Sequence, residues 1–430
     1  MTAIIRSSPN LSLSTVPAAK LPGMAVTRYR AVFAVREYRP VFLAHVISML
    51  GTMVAEVALS VLVYRTTGSA FLTAATFAVG FVPYALGGTV LASIADRYPT
   101  RSVLVGCNLL SAVLVAAMAV PGLPVGALLA LRFASATVTP IFGAARAASI
   151  PEIVPGPAAV LARSLIRVVT QAAQLAGFAV GGLLLVLVSP RFALVGEAAG
   201  FVVSALLLRI GTRWRPARGG AGSMLGDSVR GLRAVFGAPR IRALLALWWV
   251  PPVFAVAPEA LAAPYAHGIG QGPVGLGLLM TAVPAGTVLG ELGAGLLSER
   301  LRSRLVLPLA IGSLAPLTAF VVHPGLPVAV LALFGAGLCS AYLVGLDQWF
   351  LAAVPERLAG RAMAVNSGGL MLGQAVGMAA AGAAAEYLAP HLVVVVAAVL
   401  GLGATAVTAQ RVRRSATLLV EPALADTSTG

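Results

Sequence analysis

Apolar stretches of about 20 residues, almost free of charged side chains, recur through most of this chain. An α-helix needs a run of this length and composition to cross the hydrocarbon core of a bilayer. Charged residues make up only 10% of the 430 residues, against about 25% in soluble domains. Because lipid offers no partner to free backbone groups, such runs must be helical, and we predict an all-α integral membrane protein.

The apolar runs define twelve predicted transmembrane spans, whose boundaries are soft by several residues. The longest polar segment of the chain separates the first six spans from the last six. The spans are 41–64, 70–95, 102–120, 124–147, 164–188, 192–209, 243–266, 274–297, 305–322, 326–350, 364–385 and 391–410.

The chain is therefore predicted to consist of two six-helix halves with a linker between them and a tail at each end. The first tail ends in the short amphipathic stretch YRAVFAVREYRP, which suits the membrane surface. The sequence leaves open whether translation starts at Met1 or Met24. The predicted parts are tail 1–39, half 40–210, linker 211–242, half 243–410 and tail 411–430.

Arginine supplies all but one of the 30 cationic residues, and its positions predict the orientation. With the N-terminus in the cytoplasm, 26 of the 30 cations fall in the tails and loops on the cytoplasmic side. Both termini are therefore predicted to be cytoplasmic, in a protein of the cell membrane. These arginines lie in short loops and not on a soluble module, which argues against nucleic-acid binding.

The chain lacks the sequence motifs of several functional classes. The only lysine, Lys20, lies in VPAAKLP, so the chain has no phosphate-binding G-x-x-x-x-G-K-[ST] loop with which to hydrolyse ATP. No HExxH, GxSxG or Ser-x-x-Lys arrangement occurs, which argues against an enzyme. The two cysteines, Cys107 and Cys339, lie in apolar spans, and we predict neither a metal site nor a cofactor.

Polar residues of the two predicted halves recur at a constant offset of 203 residues. Matches that preserve chemistry at equivalent points of both halves indicate an internal repeat. Parallel six-span repeats are an architecture of secondary transporters. The pairs include Asp96 with Glu299, Arg97 with Arg300, Arg101 with Arg304, and Gln171 with Gln374.

Three local sequences carry a resemblance to a known family: LASIADRYPTR after the second span, SIPEIVPGPAAVLARSL after the fourth, and AVNSGGLMLGQAVG in the eleventh. Over roughly residues 30–410 the chain resembles the major facilitator superfamily. Within it, the chain is similar to drug and metabolite exporters related to macrolide-efflux and siderophore-export proteins. The resemblance implies twelve helices in two pseudo-symmetric six-helix halves.

The superfamily's loop signature, G-x-L-a-D-R-x-G-R-R/K, is matched in part after the second span, with Ala92 and Pro99 in place of its glycines. The resemblance implies that these residues, with their echo in the second half, form a gating latch on the cytoplasmic side. The alternative is that the arginines only enforce topology. The latch residues are Asp96, Arg97, Arg101, Glu299, Arg300 and Arg304.

Two further motifs resemble exporter patterns. Arg132 in LALRFASAT matches the arginine of l-x-x-x-R-x-x-q-G in the fourth span. Gly177, Gly181 and Gly182 resemble the G-P-x-x-G-G element of the fifth span, with Phe178 where proline usually stands. The same glycine spacing is an ordinary helix-packing motif, so we assign these glycines to helix packing first.

Ionisable side chains within the spans are candidates for the chemistry of transport, because each costs about 2.5–3.5 kcal/mol at a helix centre in lipid. The first and fourth helices of each half line the central cavity in the resembled family. Glu56, Arg132 and Glu259 lie on such helices at similar depth, and we hypothesise a cluster that binds protons or substrate. In it Arg132 keeps one carboxylate ionised while Glu259 titrates. The alternative is a fixed ion pair that ties the halves together.

Two more acidic residues, Glu291 and Asp347, lie in the inner halves of the eighth and tenth spans. Gating or interface roles suit this position, and partial hydration without a role is the alternative.

We predict a monomeric secondary transporter that exports a small hydrophobic or amphipathic drug or metabolite by alternating access, with protons as the coupling ion. Its partners are then the small-molecule substrate, protons and the lipid bilayer. Proton-coupled nutrient uptake is the alternative within carriers, and a non-transporting membrane receptor is the alternative from another class.

Overall fold

The computed structural model describes residues 30–86, 97–156, 158–217, 236–355 and 359–417. Within these ranges the chain is helical and contains no β-strand. Met24 and the centre of the predicted linker lie outside the described residues. The predicted fold class, an all-α membrane protein with two six-helix halves, is confirmed.

We number the helices α1 to α12 in the order of the predicted spans. They are α1 (Tyr38–Thr67), α2 (Ala70–Leu86), α3 (Thr100–Met118), α4 (Val125–Ile153), α5 (Ala158–Leu187), α6 (Pro190–Gly211), α7 (Pro239–Ala255, continued by Ala257–Ala260 and Ala262–Gly268), α8 (Pro273–Leu296), α9 (Glu299–Gly312, continued by the 3-10 helix Ala315–Val322), α10 (Leu326–Cys339 and Tyr342–Ala353), α11 (Ala359–Ala384) and α12 (Pro390–Thr417).

Ten helices of the described chain are long and apolar enough to cross a membrane. Helix α2 is equally apolar but shorter, over Ala70–Tyr84. The structure describes this helix only as far as Leu86. Helix α11 has the length, but Asn366, Ser367 and Gln374 lower its hydropathy. Both still occupy the places of predicted spans.

Helix α7 is broken where the sequence is rich in proline. Proline lacks the backbone N–H that each turn within a helix requires. Pro251, Pro252 and Pro258 therefore remove three donors from the backbone hydrogen bonds of this helix. The helix stops after Ala255 and restarts at Ala257. The break places Glu259 on a helical piece of only four residues.

The two halves share one core at one face of the molecule and have separate cores at the other. We use the term inner face for the face of the molecule at which the odd-numbered helices begin. The positions of the arginines predict that this face is cytoplasmic. Near the outer face a single core joins Val57 and Ala74 of the first half to Leu276 and Met378 of the second. Near the inner face each half has its own core, one around Tyr38, Leu104 and Ile150, the other around Leu244, Val306 and Phe350. The molecule is thus closed outside and open inside.

Small residues make the outer closure possible by letting helix backbones approach. A Cβ added to Gly182 of α5 would lie 2.6 Å from the Gly277 Cα of α8, and one added to Gly382 of α11 would lie 2.5 Å from the Ala74 Cβ of α2. Each glycine therefore marks a point where the halves touch.

Gly182→Ala is expected to shift the protein away from this inward-open state. The new methyl group meets backbone atoms of Gly277, which no rotamer change can move aside, and overpacking costs about 1–3 kcal/mol. The alternating access that the sequence predicts would separate this contact, so the cost falls on one state only. The distance between spin labels at Ile210 and Leu296, both exposed at the inner ends of α6 and α8, is expected to shorten.

The matched control is Gly196→Ala in α6, because a Cβ there meets nothing within 4 Å. Both variants are made after replacement of Cys107 and Cys339 by alanine. An unchanged label distance in Gly182→Ala contradicts the assignment of this contact to the outer closure.

The start of the linker is fastened to the first half. Arg215 donates to both carboxylate oxygens of Glu37, at 2.5 and 2.9 Å, and the backbone N–H of Arg213 donates to Oε1 at 2.8 Å. Partial burial alone would raise the pKa of Glu37, but these donors hold it below its ordinary value. Arg215 also lies 3.7 Å from Glu152 at the end of α4.

Candidate functional site

A partly buried ion pair joins the first and fourth helices. Arg132 Nη2 of α4 lies 2.5 Å from Glu56 Oε1 of α1, and the two side chains are 14% and 20% exposed. Gly80 of α2 makes room for the guanidinium, because a Cβ there would lie 2.6 Å from Nη2. The neighbouring helix thus has no side chain where Arg132 needs space.

A third ionisable residue, Glu197 of α6, shares this pocket and was missed from the sequence. It is 7% exposed, and Thr52 of α1 hydrogen-bonds its carboxyl group. Its carboxyl group interacts electrostatically with both Arg132 and Glu56. Since Glu197 falls inside the predicted span 192–209, the cost of an intramembrane charge was the signal that would have found it.

The pocket around Glu56, Arg132 and Glu197 holds about 30 Å³. This is room for a water molecule, which needs about 10–15 Å³ and several polar partners. The pocket is too small for an organic molecule. It suits a proton and a water better than a substrate.

Glu259 lies apart from this pair, on the wall of a second and larger cavity of about 240 Å³. The hypothesised cluster of three is therefore divided between two pockets, although Glu259 and Glu56 still interact electrostatically. Within the described chain no cationic group lies within 4 Å of Glu259. The reason is the break in α7, which sequence spacing on a straight helix does not foresee.

The larger cavity is formed by both halves, with α5 on one side and α7 to α11 on the other. Most of its lining is apolar, from leucine, valine, methionine, proline and Phe178. Gln171 and Gln374, the glutamines paired by the 203-residue repeat, both line it. Apolar walls with a few polar groups are typical of small-molecule sites.

The glycines of α5 pack this helix against both of its neighbours. A Cβ on Gly177 would lie 2.5 Å from the Met53 Cβ of α1, and a Cβ on Gly181 would lie 3.3 Å from the Val54 Cα. Gly182 faces α8 instead, as described above. The element thus holds the cavity wall of the first half in place.

Comparison with known proteins identifies the family. The family model of the Major Facilitator Superfamily matches residues 41–258 and 253–423, most of the chain. The chain belongs to the major facilitator superfamily. A search of curated protein sequences finds no match.

Solved structures of major facilitator transporters share the fold. The nucleoside transporter NupG superimposes with a TM-score of 0.74 at 13% identity, over 87% of this chain and 98% of that one. A bacterial homologue of the human lysosomal transporter Spinster, inward-facing and unoccupied, gives 0.62 at 15%, over 89% and 96%. A POT family transporter in complex with a thioalcohol-conjugated peptide gives 0.66 at 12%, over 88% and 96%.

As a member of the major facilitator superfamily, the protein is a transporter and not an enzyme. It moves a small molecule across a bilayer by secondary transport with alternating access. The narrower resemblance to macrolide-efflux and siderophore exporters stays a prediction.

The predicted latch of this major facilitator protein lies at the open inner face. Asp96 lies outside the described residues. Among the described residues the latch charges make no ion pair with one another, and Arg101 keeps a buried Nε without a hydrogen-bond partner. The latch stays a prediction. Its exposed members are Arg97, Glu299, Arg300 and Arg304.

The two secondary gating candidates interact with a charge of the opposite half. Glu291 of α8 and Asp347 of α10 both interact electrostatically with Arg167 of α5, across the boundary between the halves. One carboxylate oxygen of Asp347 is buried without a hydrogen-bond partner. These charges are placed where inner closure would bring them together, which keeps the gating role as a prediction.

Glu386, just beyond α11, fastens the outer closure and was missed from the sequence. Its Oε1 accepts from the Ser69 hydroxyl at 2.7 Å and from the backbone N–H of Phe71 at 2.8 Å. It thereby caps the first turn of α2 in the other half. No sequence pattern marks an acidic residue in an outer loop as such a partner.

The pKa of Glu386 lies below its ordinary value because the Phe71 N–H and the Ser69 hydroxyl donate to its carboxylate. Opening of the outer face removes these donors. The contribution of Glu386 to closure is therefore fully present above its ordinary pKa and is lost as the pH falls through the lowered value.

Glu386→Gln is expected to raise the outward-open population a few-fold, because an amide accepts these bonds less strongly than a carboxylate. The spin-label distance across the inner face measures the shift. In the wild type the same shift is expected only at strongly acidic pH. Tyr387→Phe, at an exposed neighbour, is the control. A distance distribution in Glu386→Gln equal to that of the wild type would refute the assignment.

Proposed function

We propose that this protein exports a small hydrophobic or amphipathic drug or metabolite in exchange for protons. The observation that carries the proposal is Glu259, a carboxyl group without a cationic partner among the described residues, on the wall of a mostly apolar cavity. The apolar wall suits the body of such a compound, and the glutamines suit its polar groups.

The two acidic sites have different surroundings, which supports different roles. Glu56 is held by Arg132 in an ion pair. Glu259 has no such partner, and an isolated charge is costly in an apolar cavity when water leaves. A proton on Glu259 removes that cost while the empty carrier closes, and bound substrate takes the place of the proton in the loaded carrier.

Exchange follows if substrate and proton occupy the cavity in turn. Substrate that enters from the inner face displaces the proton from Glu259, and outward opening then releases the substrate. A proton from outside neutralises Glu259 and allows the empty carrier to return. Each cycle moves one proton inward for one substrate outward, so a proton gradient drives export.

Purified protein in liposomes with an imposed pH gradient tests this proposal. A panel of amphipathic compounds is expected to include one whose transport opposes the proton flow and stops when a protonophore collapses the gradient. Transport in the same direction as the protons indicates the uptake carrier instead. Absence of flux for every nutrient and drug class tested favours a receptor.

A further inference from the structure

Arg146, near the inner end of α4, is a half-buried cation that the proposed transport cycle does not use. Its Nη1 donates to Nδ1 of His45 on α1. Its guanidinium carbon lies 5.6 Å from the centre of the Phe142 ring, one turn earlier on the same helix. The side chain therefore points into the first half, toward α1, and not into lipid.

The partners of Arg146 fix its orientation through a chain of hydrogen bonds. His45 is 2% exposed, and its Nε2 lies 2.9 Å from the Thr170 hydroxyl of α5. Thr170 donates its own proton to the Ile166 carbonyl at 2.9 Å. Its oxygen must then accept from Nε2–H, which leaves Nδ1 as the acceptor that Arg146 requires. His45 is therefore neutral and serves to hold Arg146.

The charge of Arg146 is not balanced within the described chain. Arg132 has Glu56 and Arg215 has Glu37, but no described carboxylate lies within 4 Å of Arg146. A guanidinium has five N–H donors, and only the bond to His45 occupies one. None of its nitrogen atoms is both buried and unpartnered, so the free donors remain accessible.

Tyr84 of α2 adds a second polar group. It is 38% exposed, lies beside Thr139, and interacts electrostatically with Arg146. A phenol hydroxyl can donate a hydrogen bond to an anion. A cation and a phenol thus lie near each other in the inner part of the first half, on the side where the halves are separated.

We propose that Arg146 and Tyr84 form a binding site for the carboxylate or phosphate group of an anion that enters from the inner face. The planar fork of arginine matches either group with two parallel hydrogen bonds, and His45 orients the fork in advance. The source is either a small organic anion or the phosphate of an inner-leaflet lipid. The proposal depends neither on the direction of transport nor on proton coupling.

Binding of matched aromatic probes to the purified full-length protein in neutral detergent tests this site. Naphthalene-2-carboxylate and 2-naphthyl phosphate are expected to bind, and the uncharged 2-naphthamide is expected to bind at least about tenfold more weakly. Arg146→Gln is expected to remove this preference for the anions. Arg209→Gln, an exposed arginine at the inner end of α6, is the matched control and keeps it.

Two milder variants test the site if Arg146→Gln does not fold. Arg146→Lys keeps the charge but loses the fork, and Tyr84→Phe loses one donor, so each is expected to weaken anion binding by roughly threefold or more. Equal binding of the anions and the amide, or unchanged anion binding in these variants, overturns the proposal.

Nanodiscs separate the two sources of the anion. In neutral phosphatidylcholine the probes are expected to bind as in detergent. If phosphatidylglycerol displaces naphthalene-2-carboxylate from the wild type, the site holds a lipid phosphate. If it does not, the site holds a small organic anion. Both results support the anion site, whereas a wild type without anion preference in either membrane contradicts it.

Discussion

Glu259→Gln is expected to abolish transport driven by a proton gradient while the protein stays folded. The amide has nearly the shape of the carboxyl group and fits the same cavity wall, but it neither takes up nor releases a proton. Loss of an essential proton carrier lowers rates by about 100-fold or more. The measurement is substrate accumulation in liposomes with an imposed pH gradient, compared with exchange of labelled for unlabelled substrate without a gradient.

The exchange assay shows whether the variant keeps its cavity. Exchange requires binding and movement of the loaded carrier but no net proton transfer, so it is expected to continue in Glu259→Gln. The control is Glu421→Gln, which changes an acidic residue of the predicted C-terminal tail in the same way. Full proton-driven accumulation in Glu259→Gln would show that Glu259 does not carry the proton.

The surroundings of Glu259 could not be foreseen from its sequence position. Spacing along a straight helix gives the depth of a residue, and by depth Glu259 belongs with Glu56 and Arg132. Prolines at 251, 252 and 258 break α7, and the short piece Ala257–Ala260 places Glu259 on the wall of the larger cavity between the halves. The depth of Glu259 in the membrane was predictable from the sequence, but the direction of its side chain depends on how the broken helix packs.

The ion pair between Glu56 and Arg132, by contrast, could be predicted from the sequence. A charge in an apolar span must find a partner, and α1 and α4 each carry a charge of opposite sign in their outer halves. The same rule applied to the sixth span would have added Glu197. The twelve spans and the internal repeat could likewise be predicted from the sequence. Bilayer thickness sets the length of each apolar run, and duplication leaves matching residues at a constant offset.

Arg146 was counted with the cytoplasmic cations because it lies at the very end of the apolar run of the fourth span, 124–147. Helix α4 continues to Ile153, six residues beyond the predicted end at 147. Residues Arg132, Thr139 and Arg146 are seven apart, and two helical turns bring each onto nearly the same face. Helical periodicity therefore contained the signal, which the end of the hydropathy run concealed.

Arg132→Met is expected to destabilise the protein strongly, because it leaves Glu56 and Glu197 in one small pocket without a cation. Removal of one partner from a fully buried ion pair costs about 3–5 kcal/mol, which is the upper bound for this partly buried pair. Glu56→Gln in the same chain removes the carboxylate that Arg132 contacts, so the double variant Glu56→Gln/Arg132→Met is expected to recover most of this stability. Thermal unfolding of the purified proteins at neutral pH measures both effects.

The double variant also separates a structural ion pair from a coupling role. If the pair only ties helices together, restored stability brings restored proton-driven transport. If Arg132 keeps Glu56 ionised for the transport cycle, the double variant folds and exchanges substrate but does not respond to a pH gradient. Arg65→Met, at an exposed arginine near the end of α1, is the matched control. A single variant Arg132→Met as stable as this control would mean that the two carboxylates do not depend on Arg132.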